Sequence, residues 1–428
     1  MEVVNVLLMF VSAVTSLKCR TSVDVGIRWT VDCTGMDLTS APPGMLIHPV
    51  IALNMSHNRL IHVQESLFTN WTDILILDLS SNSIQTIDQN AFKGLSSLTE
   101  LYLNNNSIKV LSSNITNYLL KLKVLSITSN KLKEIEPAVF DLLPSLYKLY
   151  LSNNIELGSD PNKLSPLKMP LSKSVLTLAI ENISLADIPK DLFGEASHLI
   201  YLNIALNPLR NITDLPVSLR YLNISGTLIE TVSKDSFSNL HLVQKLSLES
   251  MPLLKEIKAN SFSGLANIEQ LFIKNCTKLS FISERVFSES HPKMKRVVLS
   301  HCALTTLPRS LQPLLDQTEY LDLRDNPWTC DSGVSWILNL NVANVTSELK
   351  CENPPEARGM LMEDYFKPRT LHPHTSLIRA AILVMLVAVL VASVVAMVKQ
   401  MNKQKAKTYR QLNNIKLEDR TTRVLPSL

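Results

Sequence analysis

The side chains in this chain best suited to chemistry are tyrosines and lysines, and the chemistry they suit is recognition. His and Ser residues are scattered singly. There is no H-E-x-x-H pair, no nucleophile elbow and, with only 10 glycines, no phosphate-cradling loop. No metal or other cofactor is expected either, because no second pair of His or Cys has ligand spacing. Catalysis is therefore not expected. What recurs is tyrosine: Tyr102, Tyr147, Tyr150, Tyr201, Tyr221 and Tyr320, six of nine, fall on a few equivalent positions of a repeated pattern. Exposed tyrosines give large contact area with a polar tip at small entropy cost. Strands also favour aromatic residues for their own sake, so both readings stand at this point. Lys123 and Lys148 lie among these tyrosines.

The element that positions them is the repeat LxxLxLxxN. Its asparagine falls at Asn58, Asn82, Asn106, Asn130 and Asn154, each 24 residues after the last. The same position then holds Ile183, Asn207, Thr227, Met251, Cys276, Cys302 and Asn326, giving 12 repeats. A fixed period of this length predicts a solenoid with one strand per turn. In "LTELYLNNNSIKV", Leu98, Leu101, Leu103 and Ile108 form an inward set that only stacked neighbours can cover. The Leu101–Leu103 alternation sends Tyr102 to the opposite face. Asn106 is placed to satisfy backbone groups of the neighbouring turn. Phe68, Phe92, Phe140, Phe193, Phe237, Phe262 and Phe287 form a second inward column on the return side. Cys276 and Cys302 occupy the asparagine slot, either as two buried thiols or as a bridge between adjacent turns.

Both ends of a solenoid are raw hydrophobic sections that need lids. Cys19 and Cys33 flank "RTSVDVGIRWTVD", while Cys330 and Cys351 follow "NPWT" and precede "ENPPEARG". On these residues the sequence resembles the extracellular leucine-rich-repeat proteins of animals, in their typical 24-residue, cysteine-capped class, over roughly residues 19–365. The resemblance implies a curved α/β-type horseshoe with one short parallel strand per repeat. It also implies the pairings Cys19–Cys33 and Cys330–Cys351. The family's C-terminal lid usually begins Cys-Asp-Cys and carries four cysteines; here it reads Cys330-Asp331-Ser332 and lacks a fourth.

Residues 1–16 read as a signal peptide. A cap over 17–45, repeats over 46–325, a second cap over 326–365 and a stalk over 366–379 follow. Ala380 to Val398 is uninterruptedly apolar or small, about 29 Å as a helix and enough to span a bilayer. The tail, 399–428, carries eight Lys or Arg against Glu418 and Asp419, so the overall +4 hides a basic tail and a slightly acidic remainder. That split is a membrane-surface feature and points away from nucleic acid. It also predicts a cytoplasmic tail and an outside solenoid, a type I plasma-membrane protein. Nine N-x-S/T sequons agree: Asn54, Asn70, Asn105, Asn114, Asn182, Asn211, Asn223, Asn275 and Asn344.

Five positions per repeat are expected on the concave side, and there Asn54, Asn105, Asn182, Asn223 and Asn275 would place sugar. Repeats 4 and 5 carry no such sequon, so Lys123, Tyr147, Lys148 and Tyr150, with Tyr102 alongside, are the first choice for a protein-binding patch. Tyr201 and Tyr221 extend the candidate set. Beside it the spacing stretches from 24 to 29 through a segment holding Pro161, Pro166 and Pro170, either a contact loop or an ordinary insertion. In the span, Ala388, Ala392 and Ala396 line one helix face, which permits homo- or heterodimer pairing. The expected function is a cell-surface recognition or adhesion receptor for a protein ligand. The alternatives are an immune-type sensor or co-receptor, similar to Toll-type receptors outside but signalling through a partner, and a regulator of another membrane receptor.

Overall fold

A computed structural model of the chain describes residues 19–24, 28–42, 50–136, 139–159, 174–189, 192–193, 198–288, 292–342, 348–367 and 373–421. The expected signal peptide, the excursion with Pro161, Pro166 and Pro170, Asn344 and part of the stalk lie outside them. The chain divides into two units, Met1–Phe366 and Lys367–Leu428.

The first unit is a leucine-rich-repeat solenoid. Each repeat contributes one short strand, from Val50–Asn54 and Ile76–Asp78 through to Arg296–Val298 and Tyr320–Asp322. All twelve are parallel, and each centres on a buried apolar residue, from Leu53 to Val297 and Leu321. Two cap strands, Arg20–Val23 and Trp29–Asp32, extend the sheet to 14 strands, and the outermost runs antiparallel. Register survives the irregular spacings: Leu149 pairs with Leu178 across the 29-residue step, and Leu202 with Leu222 across a step of only 20.

Burial explains why the turns stack. Leu98, Leu101 and Leu103 are wholly enclosed, and each such side chain contributes about 2 kcal/mol when removed from water. The phenylalanine column on the return side is buried throughout, with ring centroids 6.0 Å apart for Phe68–Phe92 and 5.4 Å for Phe262–Phe287. Thr116 interrupts it in the third repeat. The return side is built of turns, short 3-10 segments, single helical turns at Ser113–Thr116 and Gln312–Leu315, and two-residue strands such as His62–Val63 and Thr86–Ile87.

The asparagine ladder closes the backbone account. The Asn106 amide donates to Leu79 O at 3.0 Å and Leu103 O at 3.1 Å, while its oxygen accepts from the Ile84 N–H at 2.9 Å. Cys276 and Cys302 are free, buried thiols in the same slot, donating to Leu248 O at 3.0 Å and Ile273 O at 3.5 Å. One position earlier the chain turns out of the strand, and there all twelve repeats adopt positive φ, from 51° at Asn182 to 69° at Gly226. Gly enters this left-handed region freely, and Asn and Asp more readily than other side chains. Leu206, at φ 55°, has no such ease, and its Cδ2 lies 2.5 Å from where a Cβ on Gly226 would stand. A Cβ there would have to push the exposed Leu206 tip aside.

Both caps carry the implied bridges, Cys19–Cys33 and Cys330–Cys351, with Cα separations of 4.5 and 5.6 Å. Trp328 plugs the C-terminal section, and its indole N–H donates to Leu323 O at 3.2 Å. The second unit holds one helix, Pro373–Thr421, long and apolar enough to cross a membrane. Its large apolar side chains between Ile382 and Val398 are all exposed, a surface that water does not tolerate on a lone helix.

Candidate recognition surface

Strand alternation fixes which side chains leave the core. Around each buried leucine, the flanking strand residues point outward and form two columns across the sheet. One runs Glu100, Val124, Lys148, Thr177, Tyr201, Tyr221, Lys245, Gln270, Arg296, Tyr320. The other runs through Tyr102, Ser126, Tyr150, Ala179, Asn203 and Asn223.

Four of the residues singled out from sequence converge. Lys148, Tyr150, Tyr201 and Tyr221 line one open depression of about 590 Å³. Its polar lining includes Thr128, Ser152, Glu181 and Asn203, where the Asn203 amide donates to Glu181 Oε2 at 2.8 Å. Tyr201 and Tyr221 are in-register neighbours with centroids 6.4 Å apart. Burial, then the nearby Tyr150 and Glu181, push the Tyr201 phenol pKa up, so it stays a neutral donor. Those two tyrosines also line a smaller depression of about 320 Å³ with Asn223, Lys245, Ser247 and Gln270.

The other candidates lie outside that lining. The Tyr102 hydroxyl donates to Glu100 Oε2 at 2.8 Å, and burial followed by that bond raises its pKa. Tyr147 sits 5.4 Å beneath the Lys148 ammonium, and Lys123 is exposed at the strand entrance. The depression thus takes Lys148 and Tyr150 from the sequon-free window of repeats 4 and 5, and Tyr201 and Tyr221 from the extended set. Sequons split as well: Asn54 and Asn223 lie in strands, but Asn105, Asn182 and Asn275 occupy the left-handed turn.

Counting tyrosines missed a second cluster. Lys245 Nζ lies 5.0 Å from the Phe272 ring centroid, and Arg296 Cζ lies 5.8 Å from the same ring. Arg296 is also stacked on Tyr320 at 4.0 Å. Aligning the repeats puts Lys245 and Arg296 in the column of Tyr221 and Tyr320, but their meeting at Phe272, in the other column, emerges only from the folded sheet.

Repeats, strand geometry and bridged caps together make this a leucine-rich-repeat solenoid with a disulfide in each cap. The family model for the leucine rich repeat matches residues 51–108, 96–155 and 217–277. The chain is 30% identical over 177 residues to mouse CD180 antigen, spanning 34% of this chain and 26% of that one. It is 23% identical over 220 residues to mouse leucine-rich repeat transmembrane protein FLRT2, spanning 44% and 33%. The chain thus spans about a quarter to a third of the length of these two relatives. Among solved structures, a chain of the octameric complex of Latrophilin 3, Unc5D and FLRT2 superposes with a TM-score of 0.57 at 21% identity, covering 83% of this chain and 98% of that one. That likeness is one of fold.

Proposed function

We propose that the protein is a cell-surface recognition or adhesion receptor that binds a protein ligand on its strand face and signals, if at all, through a partner. The observation that carries this reading is the convergence of Lys148, Tyr150, Tyr201 and Tyr221 around one open depression. Amphipathic rings over a polar floor suit an apolar anchor flanked by hydrogen-bonding groups. Further support comes from the partner-bound complex that contains a chain of similar fold.

The exposed apolar helix and the basic residues after it support a single span with the solenoid outside. Ala388, Ala392 and Ala396 give that span a face narrow enough for close pairing with a second helix. An immune-type sensor or co-receptor is the second reading, favoured by the similarity to mouse CD180 antigen.

Non-adherent cells displaying the full chain test the first reading. Expected are an N-terminal tag open to antibody on intact cells and new adhesion to a subset of partner cells. Display without any gained adhesion removes the adhesion reading and leaves the sensor reading.

A further inference from the structure

The strand face is electrically lopsided. Its outward positions in the first three repeats hold Asp78 and Glu100 and no Lys or Arg. Repeats 8 to 11 hold Arg220, Lys245, Lys274, Lys295 and Arg296 against only Glu249 and Glu269. Glu269 is already engaged by Lys295 at 2.8 Å. Among the described residues, no carboxylate lies within ion-pair distance of Arg220, Lys245, Lys274 or Arg296.

The aromatic rings make this more than a solvated positive patch. Phe272 is shared by two cations, and Arg296 lies between Phe272 and Tyr320. Stacking holds each charge in place and strips part of its water. Two like charges on one ring repel each other, and among the described residues neither cation has an ion-pair partner to offset that repulsion. An incoming carboxylate would relieve it and meet donors already oriented, since a guanidinium engages carboxylates two-pronged.

Resting on the strand face as the recognition surface, we infer that repeats 8 to 11 form a second subsite, which takes an acidic, carboxylate-bearing segment of the protein ligand. The ligand then spans the sheet with a fixed polarity: its ring-anchoring part occupies the Tyr150–Tyr201–Tyr221 depression and its acidic part lies on the Lys245–Phe272–Arg296 strip. Strip charges govern the rate of encounter and its salt dependence, while the depression governs residence.

The probe is a fluorescein-labelled oligoglutamate peptide, titrated onto intact cells displaying the full chain, with an ectodomain antibody reporting folding and display. Wild type should bind, and binding should weaken as salt rises. Lys245→Gln and Arg296→Gln should each weaken it about tenfold. Arg296→Lys, which keeps charge and loses the planar fork, should fall between. Lys123→Gln and Tyr150→Ala should leave it unchanged. That last control separates the two ideas, since loss of ligand binding in the depression variants with oligoglutamate binding intact leaves the strip standing. Absence of binding at low salt, indifference to Lys245→Gln and Arg296→Gln, or heparin held more tightly than oligoglutamate would overturn the inference.

Discussion

Tyr201 and Tyr221 meet with ring centroids 6.4 Å apart and planes inclined at 37°, across a step of only 20 residues. Elsewhere the chain uses 24 or more residues to return to the same column. The short step keeps register between Leu202 and Leu222, so both rings stand side by side at the edge of one depression.

The pairing predicts energetic coupling. Tyr201→Ala and Tyr221→Ala should each weaken ligand binding by about 2 kcal/mol, as anchors in a protein interface do. The double variant should lose less than the sum, because each ring supports the other. Titrating the ligand against all four forms at matched surface display checks this. Strict additivity, or undiminished binding by the double variant, would relocate the anchor.

Asn106 bonds four backbone groups belonging to two turns. Asn106→Ala should leave the Ile84 N–H buried and unpaired, while Leu79 O and Leu103 O still accept from Asn82 and Asn130, and cost about 2 kcal/mol. Because repeats stabilise their neighbours, the loss should spread into repeats 2 and 4. Hydrogen exchange should show protection falling across 77–130, and a loss confined to the substituted turn would contradict the ladder.

Much of this fold is legible before any coordinates. The leucine spacing, the asparagine ladder, the phenylalanine column and, by resemblance, both cap pairings are consequences of the repeat. What spacing alone does not give is the conformation of the residue just before the ladder. Asn105, Asn182 and Asn275 read as strand-face positions, yet their positive φ places them in the turn. Ladder residue and Ser or Thr follow directly, so the sequon grows out of that backbone's taste for asparagine. Nor does spacing reveal which outward side chains meet. Lys245 and Arg296 sit 51 residues apart, and only the strand register brings both to Phe272.

Sequon exposure makes a separate forecast. Asn70, Asn105, Asn211 and Asn275 are exposed, whereas Asn54, Asn114, Asn182 and Asn223 are half-buried. The Asn182 amide donates to Asn153 at 3.0 Å, and the Asn223 oxygen accepts from the Ser225 N–H at 3.1 Å. Sugar on Asn223 would also crowd the smaller depression. Peptide mass spectrometry should therefore find the exposed four more fully glycosylated, and Asn223→Gln should leave ligand binding intact. Full occupancy at Asn223 together with undiminished ligand binding would exclude that side of the face from the contact.

The last repeat should respond to acid. Burial pushes the Asp322 pKa up, but hydrogen bonds from Arg324, whose Nε lies 2.8 Å away, outweigh it and hold the carboxyl below its usual range. Arg324 also reaches Glu348 at 2.9 Å, tying the final strand to the C-terminal cap. A folded pKa below the unfolded value of about 4 means stability that is fully present above that value and lost as pH falls through the folded one. Protection of 320–351 in hydrogen exchange should consequently fall below about pH 4, ahead of the central repeats. Asp322→Asn should lower protection at neutral pH and flatten its dependence on acid. If the variant and wild type lose protection at the same pH, Arg324 is held by Glu348 alone, and Asp322 contributes nothing to closing that end of the solenoid.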